Sequence, residues 1–392
     1  MYRFASSPSR DMDINSLRIA LFNYICAKQS GDMFIVRIED SDKAKNIEGK
    51  DQEILDILAI FGITYDSLYY QSENFKYHLQ FASFLMDKKK AFACFCTENE
   101  LKNEKYSGKC LHVSDDELLN NNLPFTIRIK SDIDSFVIMK QDKYPTYNFA
   151  CATDDMLQGI KQIIRDKVHI LNTPKQELIR RSLGYEDKIN YTHIPAIQNI
   201  DDKSSVKWLL DQGFMPESII NYLVLLGNEV PTEIFSIAEA MEWFEIDKIS
   251  EEPVKFDINK LKFINREQIK LIENVELSKR IGYSCASIGK LAKLYTQEEN
   301  TTAEIKKKID TIFAPKISEE YKESLDKLKI TVKDAPYFEE FEEFKKYLSE
   351  KSELKGENFS KALRILLTGE QSGPDLEEVY PLIKNYLQEI TK

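Results

Sequence analysis

The sequence lacks any apolar run near the roughly 18–20 residues needed to cross a bilayer, so no membrane partner is expected. Its N-terminus lacks the succession of basic residues, apolar block and small-residue cleavage site that marks a secretory signal, which predicts a cytoplasmic location. It also lacks an excess of positive charge: 54 Lys and Arg stand against 65 Asp and Glu, a formal net charge of −11. Indiscriminate binding to nucleic acid relies on cations that neutralise phosphates, so a DNA partner is not expected. A local basic face remains compatible with an acidic protein. Low-complexity tracts and short-period repeats are absent. Six cysteines in 392 residues are too few for a disulfide framework in a long cytoplasmic chain. With 30% charged and 42% hydrophobic residues the composition is that of a soluble globular protein, and the length predicts two to four domains.

What is present begins with a strand, "YRFASS", a polar turn, and a helix, "SLRIALFNYICA", with Leu17, Leu21, Tyr24 and Ile25 on one face. "MFIVRIE" reads as a second strand and "DQEILDILAIFG" as a second helix closed by Gly62. This alternation predicts a parallel α/β sheet. The turn between first strand and first helix is where a nucleotide-binding fold holds phosphates. Here it carries Arg10, Asp11 and Asp13 and no glycine. A Cys-rich stretch and the short β segments "PFTIRI" and "SFVIMK" interrupt the alternation over 94–140, after which it resumes to about residue 200. Helices dominate from about 207 onward, including "PESIINYLVLLG", with proline in its first turn and glycine after its last.

Cys94 and Cys96 are followed, after 13 residues, by Cys110 and His112. Two closely spaced pairs of thiolate and imidazole ligands joined by a loop suit a tetrahedral Zn²⁺. Four protein ligands leave no open position, so the site reads as structural. The competing reading is three core cysteines and an unrelated surface histidine.

Several segments, in order, resemble the bacterial glutamyl-tRNA synthetase family of class I aminoacyl-tRNA synthetases. They are "RFASSPS", "RIEDSD", "PTYNFACATDDMLQGI", "NTPKQELI", "SSVKWLLDQGFMPESIINYLVLLGN" and "ALRILLTGEQSGP". The resemblance implies a Rossmann-type domain (1–93 and 141–200) split by a zinc-bearing, acceptor-binding-like insert (94–140). A stem-contact-like region (201–289) and a helical anticodon-binding-like domain (290–392) would follow. It also implies ATP with Mg²⁺, glutamate and tRNA as substrates. Arg3, Ser7, Glu39, Tyr147 and Arg165 align with positions at the glutamate pocket, where the two arginines would fork a carboxylate and Glu39 would receive the ammonium.

The chain departs from the family at the ATP site. "DINS" stands for the His-x-Gly-His signature, so Asp13 replaces a histidine that meets phosphates and Asn15 replaces a glycine; Arg10 replaces another turn glycine. Two like unit charges about 4 Å apart repel by about 1 kcal/mol in water and roughly 4 kcal/mol at an effective dielectric near 20. The Lys-Met-Ser-Lys loop is absent: only "IDDK", 200–203, spans its place, with Lys203 the sole nearby substitute. The family's R-G-E-D-H becomes Arg165-Asp166-Lys167-Val168-His169, and the link between "RIKSD" and "SFVIMK" is short. These changes imply a pseudoenzyme: a paralogue with lost or greatly reduced adenylation that binds tRNA, glutamate or a related protein. The alternatives are a working glutamate–tRNA ligase with unusual motifs and a non-catalytic scaffold for other translation enzymes.

Overall fold

The computed structural model describes residues 1–97, 106–132, 134–199 and 205–391. Five strands form a parallel sheet: β1 (Tyr2–Ser6), β2 (Phe34–Ile38), β3 (Ser67–Tyr70), β7 (Gln162–Asp166) and β8 (Asn190–Ile194), in the order β3-β2-β1-β7-β8. From β1 the chain builds outward in one direction to β3, then returns to pair β7 on the other side of β1. The carboxyl ends of β1 and β7 thus flank a topological switch point, where open α/β sheets form their ligand crevice.

Helix α1 (Ile14–Ser30) links β1 to β2. Asp13 caps its first turn, and Gly31, at φ 68°, closes it by donating its N–H to Ala27 and Lys28 carbonyls. The apolar stripe expected at Leu17, Leu21, Tyr24 and Ile25 is buried, but so are Arg18, Phe22 and Asn23. The reason is cover on a second side. Phe22 packs on Phe244 at 4.9 Å, and buried Arg18 donates to the carbonyls of Pro195 and Leu226.

Helices α2 (Lys50–Ile60) and α3 (Phe75–Asp87) complete the first half. The chain then forms an antiparallel three-stranded sheet from β4 (Ala91–Cys94), β5 (Thr126–Ile129) and β6 (Val137–Met139), with a short helix α4 (Asp115–Leu119) between β4 and β5. Helix α5 (Tyr147–Leu157) leads to β7, and α6 (Thr173–Ser182) to β8.

The chain divides into two compact units. One comprises Met1–Lys207, Leu223–Pro231 and Ile237–Phe256; the other comprises Trp208–Tyr222, Thr232–Ser236 and Asp257–Lys392. The second is helical, with a core that includes Leu291, Ile309, Phe344, Leu366 and Tyr380. Among the described residues no helix is long and apolar enough to cross a membrane.

Candidate functional site

A cleft of about 820 Å³ opens at the switch point. Arg3, Ser7, Glu39, Tyr147 and Arg165, the residues singled out as pocket-forming, all line it, as do Asp13 and Asn15. For Ser7, Glu39 and Arg165 the convergence follows from topology: β2, β1 and β7 are consecutive and parallel, so residues at their carboxyl ends share one rim, while Arg3 lies lower on β1 and Tyr147 opens α5.

The charges beneath that rim form a relay that sequence reading did not find. Arg3 donates from Nε to Asp155 Oδ1 at 3.0 Å and from Nη2 to Oδ2 at 3.4 Å. Arg37 Nη1 reaches the same Oδ1 at 2.7 Å, and its Nη2 reaches Glu39 Oε1 at 3.2 Å. Burial opposes the Asp155 charge, but the two arginines outweigh it and hold the carboxyl well below the usual range. The expected fork of Arg3 on a substrate carboxylate is therefore occupied by Asp155. Arg3 shapes the floor of the cleft and fixes the sheet to α5. Glu39 also accepts from the Cys151 thiol at 3.1 Å, and burial followed by the Glu39 charge pushes that thiol well above its usual value.

Arg165 differs. Its guanidinium donates to Gln176 Oε1 and Thr173 Oγ1, each at 2.8 Å, to the His169 carbonyl at 3.3 Å, and from Nε to His193 Nε2 at 3.2 Å. Burial and then Arg165 itself lower the His193 pKa, so the ring is a neutral acceptor. Every one of these partners is uncharged. Among the described residues Arg165 has no ion-paired carboxylate, which leaves a partly desolvated cation facing an open cleft. Beside it, Tyr147 Oη lies 3.5 Å from His169 Nδ1.

The signature turn is rebuilt around Asp13. Its Oδ1 accepts from Ser16 N at 2.8 Å, and its Oδ2 lies 3.4 Å from Arg10 Nη2. Asn15 turns away from a glycine's role: its Oδ1 accepts from Ile197 N at 2.8 Å and ties α1 to the segment after β8. Val206 N donates to Met12 O at 3.0 Å, and Ser205 bridges Asp13. Ser205 and Val206 thus meet the signature turn. Lys203 lies outside the described residues.

Cys94, Cys96 and Cys110 converge, with their sulfurs within 4.8 Å of one another. They form no disulfide; Cys96 Sγ and Cys110 Sγ are 3.7 Å apart. His112 does not join them and is exposed, which corrects the expected fourth ligand. The turn at 109–112 directs Cys110 and Leu111 into the cluster and the next side chain outward. Tyr106 takes the vacant side: its Oη accepts from Cys110 N at 2.7 Å, and its ring lies against Phe92. Burial and then the neighbouring thiols push Cys96 up to about 12. A dication would reverse that crowding of prospective thiolates, so three sulfurs with a phenol oxygen alongside suit a soft or borderline metal.

Comparison with known proteins accords with this geometry. The chain matches the family described as tRNA synthetases class I (E and Q), catalytic domain, over residues 1–123 and 109–263. It is 49% identical to glutamate–tRNA ligase 2 of Sulfurimonas denitrificans over 432 residues, covering all of both chains. Glutamate–tRNA ligase 1 of Campylobacter curvus is also 49% identical, over 430 residues and again all of both chains. With 392 residues on this side, about forty aligned positions in each relative have no counterpart here. The crystal structure of a glutamate tRNA ligase from Elizabethkingia meningosepticum in complex with its amino acid shares the fold, with a TM-score of 0.79 at 21% identity over 99% of this chain and 97% of that one. Taken with the parallel sheet, its switch-point cleft and the retained rim residues, the full-length matches place the chain in the glutamyl-tRNA synthetase family.

Proposed function

We propose that the chain is a glutamate–tRNA ligase acting on glutamate, ATP with Mg²⁺ and tRNA, in the cytoplasm where charged tRNA is used. The observation that carries this reading is Arg165: a buried guanidinium at the cleft wall with four neutral partners and no carboxylate among the described residues to balance it. Glu39, at the end of β2 and across β1 from Arg165, supplies the opposite charge that an α-ammonium requires. Full-length identity near one half to glutamate–tRNA ligases favours this reading over the pseudoenzyme implied by the motif changes.

The reading of greatly reduced adenylation keeps one specific observation. The Asp13 carboxylate occupies the third amide of α1, one that a phosphate could otherwise use. Glutamate-dependent ATP–pyrophosphate exchange, measured with and without tRNA, separates the two. Robust exchange is expected. Exchange many decades below that of an intact ligase would establish the reduced-adenylation reading instead. No observation in the fold favours a scaffold for translation enzymes.

Within this function the segments 94–140, 201–289 and 290–392 would contact the acceptor end, stem and anticodon of tRNA. The Cys94, Cys96 and Cys110 thiolates would hold a structural zinc. Cys96→Ser is expected to reduce bound zinc from near one per chain to near none and to loosen the β4–β5 sheet, by elemental analysis and hydrogen exchange. His112→Ala should leave zinc content unchanged. If the histidine variant loses the metal and the cysteine variant keeps it, the assignment fails.

A further inference from the structure

Two changes that are unfavourable singly at the ATP site are in contact in the fold. Arg10 Nη2 and Asp13 Oδ2 lie 3.4 Å apart, and both residues line the cleft. Their side chains differ in freedom: that of Arg10 is 74% exposed and that of Asp13 19%. Asp13 is fixed because its other oxygen caps α1 through Ser16 N. That engages the third amide of the helix, one of those a phosphate oxygen could otherwise use. Arg10 is held only by an exposed pair, which is weak and readily shared. A guanidinium has five N–H donors in a planar fork, so contact with Asp13 leaves most of it available to phosphate oxygens. Of the other cations on the cleft, Arg3 is forked on Asp155, while Lys45, as exposed as Arg10, lies 3.3 Å from Asp42 and lacks the planar fork of a guanidinium.

We propose that Arg10 is the phosphate-binding cation of this cleft and that Asp13 is its positioning residue. The ligand class is a nucleoside triphosphate gripped through its phosphates. Asp13 then does not stand as a bare negative charge before the phosphates, because Arg10 neutralises it and presents the opposite sign. This assignment rests on the ligase reading above, in which ATP enters the cleft. It names the group that would replace a histidine and a lysine loop the chain does not carry.

The test is calorimetric titration of the purified full chain with ATP and Mg²⁺, alongside glutamate titration and thermal melting. Arg10→Gln is expected to weaken ATP about tenfold or more without moving the melting temperature, since the side chain is exposed; Arg10→Lys should recover part of the loss. Adding Asp13→Asn to Arg10→Gln should tighten ATP, because the unpaired carboxylate then faces phosphates alone. The same change in the wild-type background should not tighten it. The proposal is overturned if Arg10→Gln binds ATP as the wild type does, or if Asp13→Asn has the same effect in both backgrounds. If wild type binds glutamate but no ATP, the ligase reading falls and this proposal with it. If wild type binds ATP and only the Arg10 effects are missing, the ligase reading stands and Arg10 has no part in it.

Discussion

Exchange of Asp155 for asparagine will destabilise the α/β unit by about 3–5 kcal/mol, a large share of an ordinary domain's stability. Asp155 is 1% exposed and, among the described residues, is the carboxylate that touches both Arg3 and Arg37, themselves 4% and 0% exposed. Removing its charge leaves two buried guanidinium groups with Glu39 alone between them, and Glu39 reaches only Arg37. The Coulomb gain in this network need not exceed the cost of burying it, but breaking it halfway leaves the cost without the gain. The pH dependence has a definite sign. An unfolded Asp titrates near about 4, and the folded Asp155 carboxyl lies below that. Its contribution is therefore complete above about pH 4 and is lost as pH falls toward the folded value. Asp155→Asn should flatten that part of the acid-stability curve. Urea denaturation followed by circular dichroism reads both effects. An unchanged urea midpoint would mean that Arg3 is not bound to Asp155 and is free for substrate after all.

Arg165→Glu should abolish binding of free glutamate, a loss of at least about a hundredfold from an affinity of roughly millimolar. Small ligands gain little free energy per atom, so one charge-assisted fork is a large part of the total. The substitution removes that fork and sets a like charge before the ligand carboxylate. The four neutral partners of Arg165 can each accommodate a carboxylate less readily than a guanidinium, since all four present acceptor atoms to it. Arg165→Gln is therefore the companion variant, removing the charge without reversing it, with an intermediate loss. NMR titration with glutamate, aspartate and glutamine on all three proteins decides the matter. Failure of the wild type to bind any of the three, with its fold intact, would reduce the rim residues to scaffold.

Much of the fold was legible because its signals are local. The α1 stripe, Gly62 after its helix, and the apolar run of β2 each depend on a few neighbouring residues. The rim residues were reached through the family resemblance, and the sheet order then explains why they meet. The Arg3–Asp155–Arg37 relay was not legible. Its members lie as much as 152 positions apart, and nothing local distinguishes Asp155 from Asp154 beside it. Yet Asp154 turns to His78 at 2.8 Å and Gln71 at 2.9 Å, while Asp155 turns to the arginines. One step along a helix rotates a side chain by about 100°, which decides the partner. The metal cluster was half legible for a related reason. Spacing found three cysteines, but spacing cannot say which way a turn points His112, and it gave no reason to look for a phenol at Tyr106.

The interleaving of the two units bears on how the protein is made. The α/β unit needs Leu223–Pro231 and Ile237–Phe256 as well as Met1–Lys207, because Leu226 accepts from Arg18 and Phe244 covers Phe22. A ribosome that has released residue 207 must therefore deliver about fifty more before the buried face of α1 can close. At roughly 5–20 residues per second that is several seconds of synthesis with Phe22 and Arg18 uncovered. During that interval the nascent chain offers a sticky helix to chaperones. A stop codon before residue 244 would leave a fragment without Phe244 to cover Phe22.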